Sequence, residues 1–364
     1  MSGFSASRLT IARQFRRLTK RDLASLVGVS APMITHYESG AIEPPEEVIN
    51  SLVFRLQFLP SFFYKAEIDA IPQKAVSFRS ARSITATVRE RMLACGKIAS
   101  GVLSPHFRHC FRLPSPDVPD LSHEGPELAA EVLRRHWKQG FGPIPNMVHL
   151  LELKGVDVYW TREQSDALDA LSFWRDGQPY VLMNAAKACG VRGRFDAAHE
   201  LGHLVLHRSS PVLQSREIEQ EAHRFASAFL LPADQFRQEC ASHVVFSQFL
   251  ELKKRWGVSV QALVRRAFDL EIISEWQYKS ACIEISRRGW RTKEPEDDAF
   301  SAEESRLHEQ IFSRLSDRGM SPREIADQVH MRHSDLAELA PQIRVAEKQP
   351  PVNVSPFLRQ GYAL

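Results

Sequence analysis

Residues 194–207 read RFDAAHELGHLVLH, and this stretch decides the fold of the central region. Its apolar residues recur at spacings of three and four, which predicts a buried amphipathic helix over about 192–207. His199 and His203 are four positions apart, so both imidazoles lie on one face of that helix, one turn apart. Two imidazoles placed in this way can share one metal ion.

Glu200 directly follows the first of these histidines. Zinc accepts two imidazole nitrogens and one carboxylate oxygen as protein ligands and leaves a fourth position for water. Bound zinc lowers the pKa of that water to about 7, and a neighbouring carboxylate can then accept its proton. We therefore predict a zinc-dependent peptidase with His199 and His203 as metal ligands and Glu200 as the general base.

The alternative is a helix whose two histidines are ordinary surface residues. The flanking residues are apolar or small, which indicates a buried helix, and buried histidines need polar partners. Gly202 in the middle of the helix costs up to about 1 kcal/mol relative to alanine. A close approach by another backbone or by a ligand would explain that glycine.

A third metal ligand is expected from the next helix, predicted over about 217–230 and stopped by Pro232. Glu219 and His223 are one turn apart at the edge of its apolar face. We predict Glu219 as the third ligand, and His223 as a partner that supports a ligand or as an alternative ligand. Three further residues remain open as rivals: Glu217, Glu221 and His207.

Three segments upstream of the metal motif alternate in polarity as strands do: 156–160, 171–174 and 179–183. The dipeptide Asp176-Gly177 joins the last two and is a strong hairpin signal. A small antiparallel sheet beside the helices is therefore expected. Beyond residue 234 the pattern is helical, and Ser321 is the predicted N-cap of a helix within 302–340.

Residues 5–60 have the periodicity of a compact helical unit. Thr19 and Asp22 predict an acidic variant of a capping box at the start of one short helix. Gly28 is expected to end that helix and Ser30 to cap the next. Two helices joined by a tight turn that contains glycine form a helix-turn-helix motif.

Composition sets broad limits on the function. The chain has 364 residues, of which 43% are hydrophobic and 25% charged, as in ordinary globular proteins. The formal net charge of +3 is close to neutral, so any basic patch must be local. The five cysteines are far apart and show no metal or redox spacing, which favours reduced thiols in a cytoplasmic protein. No secretory signal or membrane span is indicated.

The metal motif at 194–207, together with EQEAHRFASAFLLP at 219–232, resembles the ImmA/IrrE family of metallopeptidases. His223 stands where that family usually has asparagine. The resemblance covers about 145–265 and implies one zinc ion per chain, held by His199, His203 and Glu219, with Glu200 as the base. It also implies that the strand-rich segment lies on the substrate side.

The N-terminal unit resembles the Cro/phage-repressor type of helix-turn-helix, often called XRE, in LTKRDLA at 18–24, LVGVS at 26–30 and ITHYESG at 34–40. In such motifs the second helix enters the major groove of double-stranded DNA, and a homodimer often reads two half-sites. The predicted DNA contacts are Ala31, Pro32, Thr35 and His36 on the outer face of that helix, and Arg16, Arg17 and Lys20 at phosphates. The alternative is a helical domain that serves protein contacts.

The expected fold class is α+β and mostly helical, with a helix-turn-helix bundle, a zincin-like domain that contains a small antiparallel sheet, and a helical tail. The expected domains are a DNA-binding domain (5–65), a helical linker region (66–145), a metallopeptidase domain (146–270) and a helical C-terminal region (271–364). The fused layout implies a peptidase that cleaves a repressor or other regulatory partner in a stress, mobile-element or toxin-pair response. The competing hypothesis is a transcriptional regulator or antitoxin whose zinc is structural or sensory.

Overall fold

A computed structural model describes residues 3–71, 85–164, 169–187, 190–208, 215–240 and 246–344. Helices predominate in these ranges, and three strands form a small sheet. The α+β, mostly helical class predicted from the sequence is therefore confirmed. None of the helices in these ranges is both long and apolar enough to cross a membrane.

The N-terminal head is a bundle of four helices: α1 (Ala6–Phe15), α2 (Lys20–Val27), α3 (Ala31–Ser39) and α4 (Glu46–Leu56). Thr19 and Asp22 form the predicted capping box at the start of α2. Gly28 ends α2 in the left-handed conformation, with φ at 76°. Ser30 occupies the N-cap of α3, although its side chain makes no capping hydrogen bond. The predicted helix-turn-helix is confirmed.

The remaining helices follow in chain order. They are α5 (Ala86–Ile98), which continues through a π-helical turn (Ala99–Leu103) into α6 (Ser104–Cys110), then α7 (Pro126–His136), α8 (Met147–Leu153), α9 (Gly190–Leu206), α10 (Arg216–Leu230), α11 (Ala233–Glu239), α12 (Gln248–Trp256), α13 (Val260–Asp269), α14 (Glu275–Arg287), α15 (Arg306–Asp317), α16 (Pro322–Gln328) and α17 (His333–Leu339). Ser321 caps α16 as predicted, in a capping box with Glu324.

The sheet contains β1 (Asp157–Thr161), β2 (Ala170–Arg175) and β3 (Gln178–Asn184), with β3 in the centre. Asp176 and Gly177 form the predicted hairpin turn, both with positive φ, and β2 pairs antiparallel with β3. β1 pairs parallel with β3, so the sheet is mixed, and the expectation of a wholly antiparallel sheet is wrong in this respect. The hairpin dipeptide specifies only the pair that it joins, whereas alternation in β1 carries no information about direction.

The sheet separates two hydrophobic cores, because alternate residues of a strand face opposite sides. Tyr159, Phe173 and Leu182 belong to the head–tail core, which is formed with α1–α6 and α15–α17. Val158 and Val181 belong to the central core, which is formed with α7–α14. The N-terminal head and the C-terminal helices thus pack on one side of the sheet, and the helix that bears the metal motif packs on the other.

Ionic contacts also attach the head to the rest of the chain. Arg16 makes a two-pronged contact with Asp335 of α17, with nitrogen–oxygen distances of 2.8 and 2.6 Å. Arg17 lies 3.1 Å from the buried Glu163 carboxylate and donates to the Arg162 carbonyl. Both arginines were predicted as phosphate contacts, which stays a prediction; in the structure each pairs with a carboxylate of another segment. They compensate carboxylates that are largely removed from water.

Four cysteines lie in the described ranges and are free thiols: Cys95, Cys110, Cys240 and Cys282. Burial raises the pKa of Cys95 and of Cys240 to about 11, which keeps both thiols protonated at neutral pH. Cys189 lies outside the described residues.

His308 provides a pH-dependent contribution to stability. It is buried among Phe107, Tyr159 and Phe312, and burial lowers its pKa from 6.5 to about 3. Below pH 6.5 the unfolded chain therefore takes up a proton that the folded chain does not. The stabilisation from neutral, buried His308 is therefore fully present above pH 6.5. As the pH falls from 6.5 towards 3, the free energy of unfolding decreases by up to about 1.4 kcal/mol per pH unit.

We expect His308→Leu to flatten the dependence of the unfolding free energy on pH between 6.5 and 4.5, as measured by urea denaturation at several pH values. His123 is exposed, so His123→Leu is the control and should leave the pH dependence of the unfolding free energy unchanged. An unchanged slope in His308→Leu would show that His308 is solvated or charged in the native state.

Candidate functional site

The candidate site is formed where α9 packs against α10. Gly202 faces α10, and a Cβ atom on it would lie 3.2 Å from both the Cα and the carbonyl oxygen of Ala222. It would also lie 3.0 Å from the ring of Phe225. The close backbone approach that the mid-helix glycine predicted is therefore present. It brings His199, one turn before the glycine, and His203, directly after it, within reach of Glu219 on α10.

Three side chains from these two helices converge. The Nε2 atoms of His199 and His203 are 3.1 Å apart. Glu219 Oε2 lies 3.3 Å from His199 Nε2, and Glu219 Oε1 lies 3.5 Å from His203 Nε2. All three potential donor atoms lie within 4.8 Å of one another. The structure thus brings together the three residues that were predicted from the sequence as metal ligands.

The electrostatic setting of this cluster favours a neutral imidazole at His203. His199 and His203 are 2% and 3% exposed. Burial, followed by the neighbouring His199, holds the pKa of His203 well below its usual value. A neutral imidazole retains the nitrogen lone pair that a metal ion requires. Two nitrogens and one carboxylate oxygen are a donor set that fits zinc.

Glu200 is buried beside the cluster and contacts the sheet. The hydroxyl of Ser172, on β2, donates to Glu200 Oε2 at 2.6 Å. The Ser172 oxygen also lies 3.3 Å from the Glu200 carbonyl oxygen. The hydrogen bond to Oε2 fixes the Glu200 carboxylate against β2.

Ser172 is a residue that the sequence analysis missed. The signal that could have found it is alternation: Trp174 lies on the same face of β2 and donates its indole N–H to the Leu204 carbonyl of α9. A serine at such an inward-facing strand position needs a partner, and the helix opposite supplies one.

The other candidates on α10 have different neighbours. The ring of His223 packs edge-on against His199, with centroids 4.6 Å apart, and lies 5.6 Å from the ring of Phe195. It supports the orientation of a predicted ligand but does not belong to the cluster of three donors. Glu217 is exposed, and Glu221 contacts His207 at 3.0 Å.

The outer face of the head carries the remaining predicted DNA contacts. Pro32, Thr35 and His36 are exposed on α3, whereas Ala31 is half-buried. Lys20 Nζ lies 3.4 Å from Thr35 Oγ1 and 3.5 Å from Glu38. Lys20 at the start of α2 thus contacts Thr35 in the middle of α3, where His36 is also exposed.

The two parts of the chain thus define a helix-turn-helix head joined to a peptidase-like domain. Residues 151–268 match the family model described as the IrrE N-terminal-like domain, of the M78 peptidases. Residues 6–60 match a family model of helix-turn-helix domains. Both resemblances found in the sequence are confirmed, and the three converging residues His199, His203 and Glu219 lie inside the first match. No curated protein matches the chain.

Proposed function

We propose that this chain is a DNA-binding zinc metallopeptidase that cleaves a specific regulatory protein. The single observation that carries the proposal is the convergence of His199, His203 and Glu219 within 4.8 Å, beside a buried Glu200. These residues would hold one zinc ion, since their donor types match its preference. When bound, zinc would supply a Lewis acid that polarises water and the scissile carbonyl.

The chain's own residues supply the proton transfers. Glu200 accepts a proton from the attacking water and delivers it to the leaving amine nitrogen, as a general base and then a general acid. Ser172 holds the Glu200 carboxylate by the 2.6 Å hydrogen bond from β2. His223 restrains the ring of His199 by edge-on packing.

β2 supports the choice of a protein substrate. It is an edge strand of the described sheet, and it lies against the helix that carries Glu200. An edge strand offers unpaired backbone N–H and C=O groups, to which an extended peptide can pair. A segment bound along β2 would place its backbone next to the general base.

The rival function is a regulator whose zinc is structural or sensory, without proteolysis. The two functions differ in whether Glu200 is needed. Structural zinc sites are usually closed by four protein ligands, whereas catalytic sites keep three. Among the described residues, three donors converge, which favours the peptidase.

The test of the proposed function has two readouts on the full-length chain. Metal analysis should find about one zinc per chain in the wild type and substantially less in Glu219→Ala. N-terminal proteomics of a host lysate should then detect new protein N-termini with the zinc-loaded protein that are absent after chelation. Zinc uptake without any new N-terminus would support the regulator, and no zinc uptake would overturn both.

DNA binding is expected to depend on the exposed surface of α2 and α3. We expect the double change Thr35→Ala and His36→Ala to weaken binding by at least about thirtyfold, since each base contact contributes about 1–3 kcal/mol and two are lost. The probe is a duplex selected by the wild-type protein from a random library, and binding is followed by fluorescence anisotropy. Arg237→Ala, an exposed basic change on α11, is the control. Equal binding by all three proteins would place the DNA contacts elsewhere.

A further inference from the structure

A second hydrogen-bonded path begins at the other ring nitrogen of His203. His203 Nδ1 lies 3.1 Å from Nδ1 of His207, which follows the last residue of α9. His207 Nε2 in turn lies 3.0 Å from Glu221 Oε2 on α10. His207 is 5% exposed, whereas the Glu221 side chain is 48% exposed. The path therefore runs from the buried donor cluster of His199, His203 and Glu219 to the surface.

The positions of the protons along this path follow from the contacts. His203 directs its Nε2 at His199 and Glu219, so a neutral His203 that binds metal there carries its proton on Nδ1. That N–H donates to His207 Nδ1, which must then be without a proton. Neutral His207 carries its own proton on Nε2, where the Glu221 carboxylate accepts it. Each nitrogen thus has a single consistent role.

The same geometry argues against His207 as a competing metal ligand. Its Nδ1 faces the side of the His203 ring that points away from His199 and Glu219, and the group of converging donors does not include it. Its Nε2 faces a surface carboxylate. His207 therefore contacts a ligand but not the metal position.

We propose that His207, oriented by Glu221, is a positioning residue that fixes the ring and the protonated nitrogen of His203 for metal binding. The inference rests on the proposed zinc site. An acceptor on the second nitrogen of a metal-bound histidine holds the ring orientation and raises the basicity of the ligand, and its loss typically weakens metal affinity 10–100-fold.

The test measures zinc affinity by competition with a fluorescent chelator. His207→Leu should weaken zinc binding 10–100-fold. His207→Asn should restore most of the affinity, because the asparagine Oδ1 takes the place of the acceptor Nδ1. His308→Leu, which removes another buried histidine, is the control and should bind zinc like the wild type. Absorption spectra of the Co²⁺-loaded proteins should change in His207→Leu and remain as in the wild type in His308→Leu.

Substitution of Glu221 provides a second test that does not depend on tolerance of a core change. Glu221→Ala should weaken zinc binding by about a few-fold, less than His207→Leu because the carboxylate is half-exposed. Glu217→Ala, on the exposed first turn of the same helix, is the matched control. Wild-type affinity in both His207→Leu and Glu221→Ala would overturn the inference. Failure of the wild type itself to bind zinc would instead overturn the proposed function.

Discussion

Glu200→Gln is expected to lower the rate of substrate cleavage by about 10²–10⁴-fold, the usual contribution of a general base. Glutamine preserves the shape of the side chain and can still accept the hydrogen bond from Ser172. It cannot accept a proton from water. The loss should therefore appear in kcat, while the KM for the substrate changes little.

The measurement is the cleavage rate of a substrate identified by its new N-terminus, with zinc content determined on the same samples. Zinc uptake should equal that of the wild type, because Glu200 is not among the three converging donors. Ser172→Ala is a useful companion, since it leaves the carboxylate intact but removes its anchor on β2. If Glu200→Gln cleaves the substrate at the wild-type rate, the assignment of Glu200 as the general base is wrong.

Lys253→Met is expected to lower the free energy of unfolding by about 3–5 kcal/mol, the usual effect of breaking a buried ion pair from one side. The ammonium group of Lys253 lies 2.9 Å from Glu294 and 2.5 Å from Asp297, and its side chain is fully buried. Glu294 also accepts hydrogen bonds from Val260 and Gln261 at the start of α13. Removing the lysine leaves two buried carboxylates without a cation.

The adjacent lysine provides the control for this prediction. Lys254 pairs with Glu251 and Glu296 but is 47% exposed. Exposed pairs contribute about 0–1 kcal/mol, so Lys254→Met should be nearly neutral. Urea denaturation of both variants at pH 7 makes the comparison. Similar midpoints for the two would show that the Lys253 group is hydrated or that the carboxylates take up protons.

Features of the fold and the site were predicted correctly where all the residues that define them lie within one short segment of the sequence. The spacing of His199 and His203 fixes their common face, and Gly202 marks the approach of α10. The capping boxes at Thr19 and Ser321 were likewise predictable, because each is completed within four residues. The third donor, Glu219, was predictable because its helix has a clear apolar face next to it.

The remaining features depend on segments that are distant in sequence. Ser172 reaches Glu200 across 28 residues, and Arg16 reaches Asp335 across 319. Periodicity carries no information on such pairings. The direction of β1 depends on the path of the connecting chain, which the alternating pattern does not encode. For the same reason, the partners of Arg16 and Arg17, which follow α1, could not be predicted from the sequence.

The sheet that lies between the two cores has a practical consequence for dissecting this protein. A chain shortened to 151–268 would retain the sheet but lose every helix that covers Tyr159, Phe173 and Leu182. These residues would form an exposed apolar surface beside an edge strand, a combination that promotes aggregation. The roles of the head and of the peptidase-like domain are therefore better tested by point substitutions than by truncation. Insolubility of a truncated fragment would result from the loss of the helices that cover this face of the sheet.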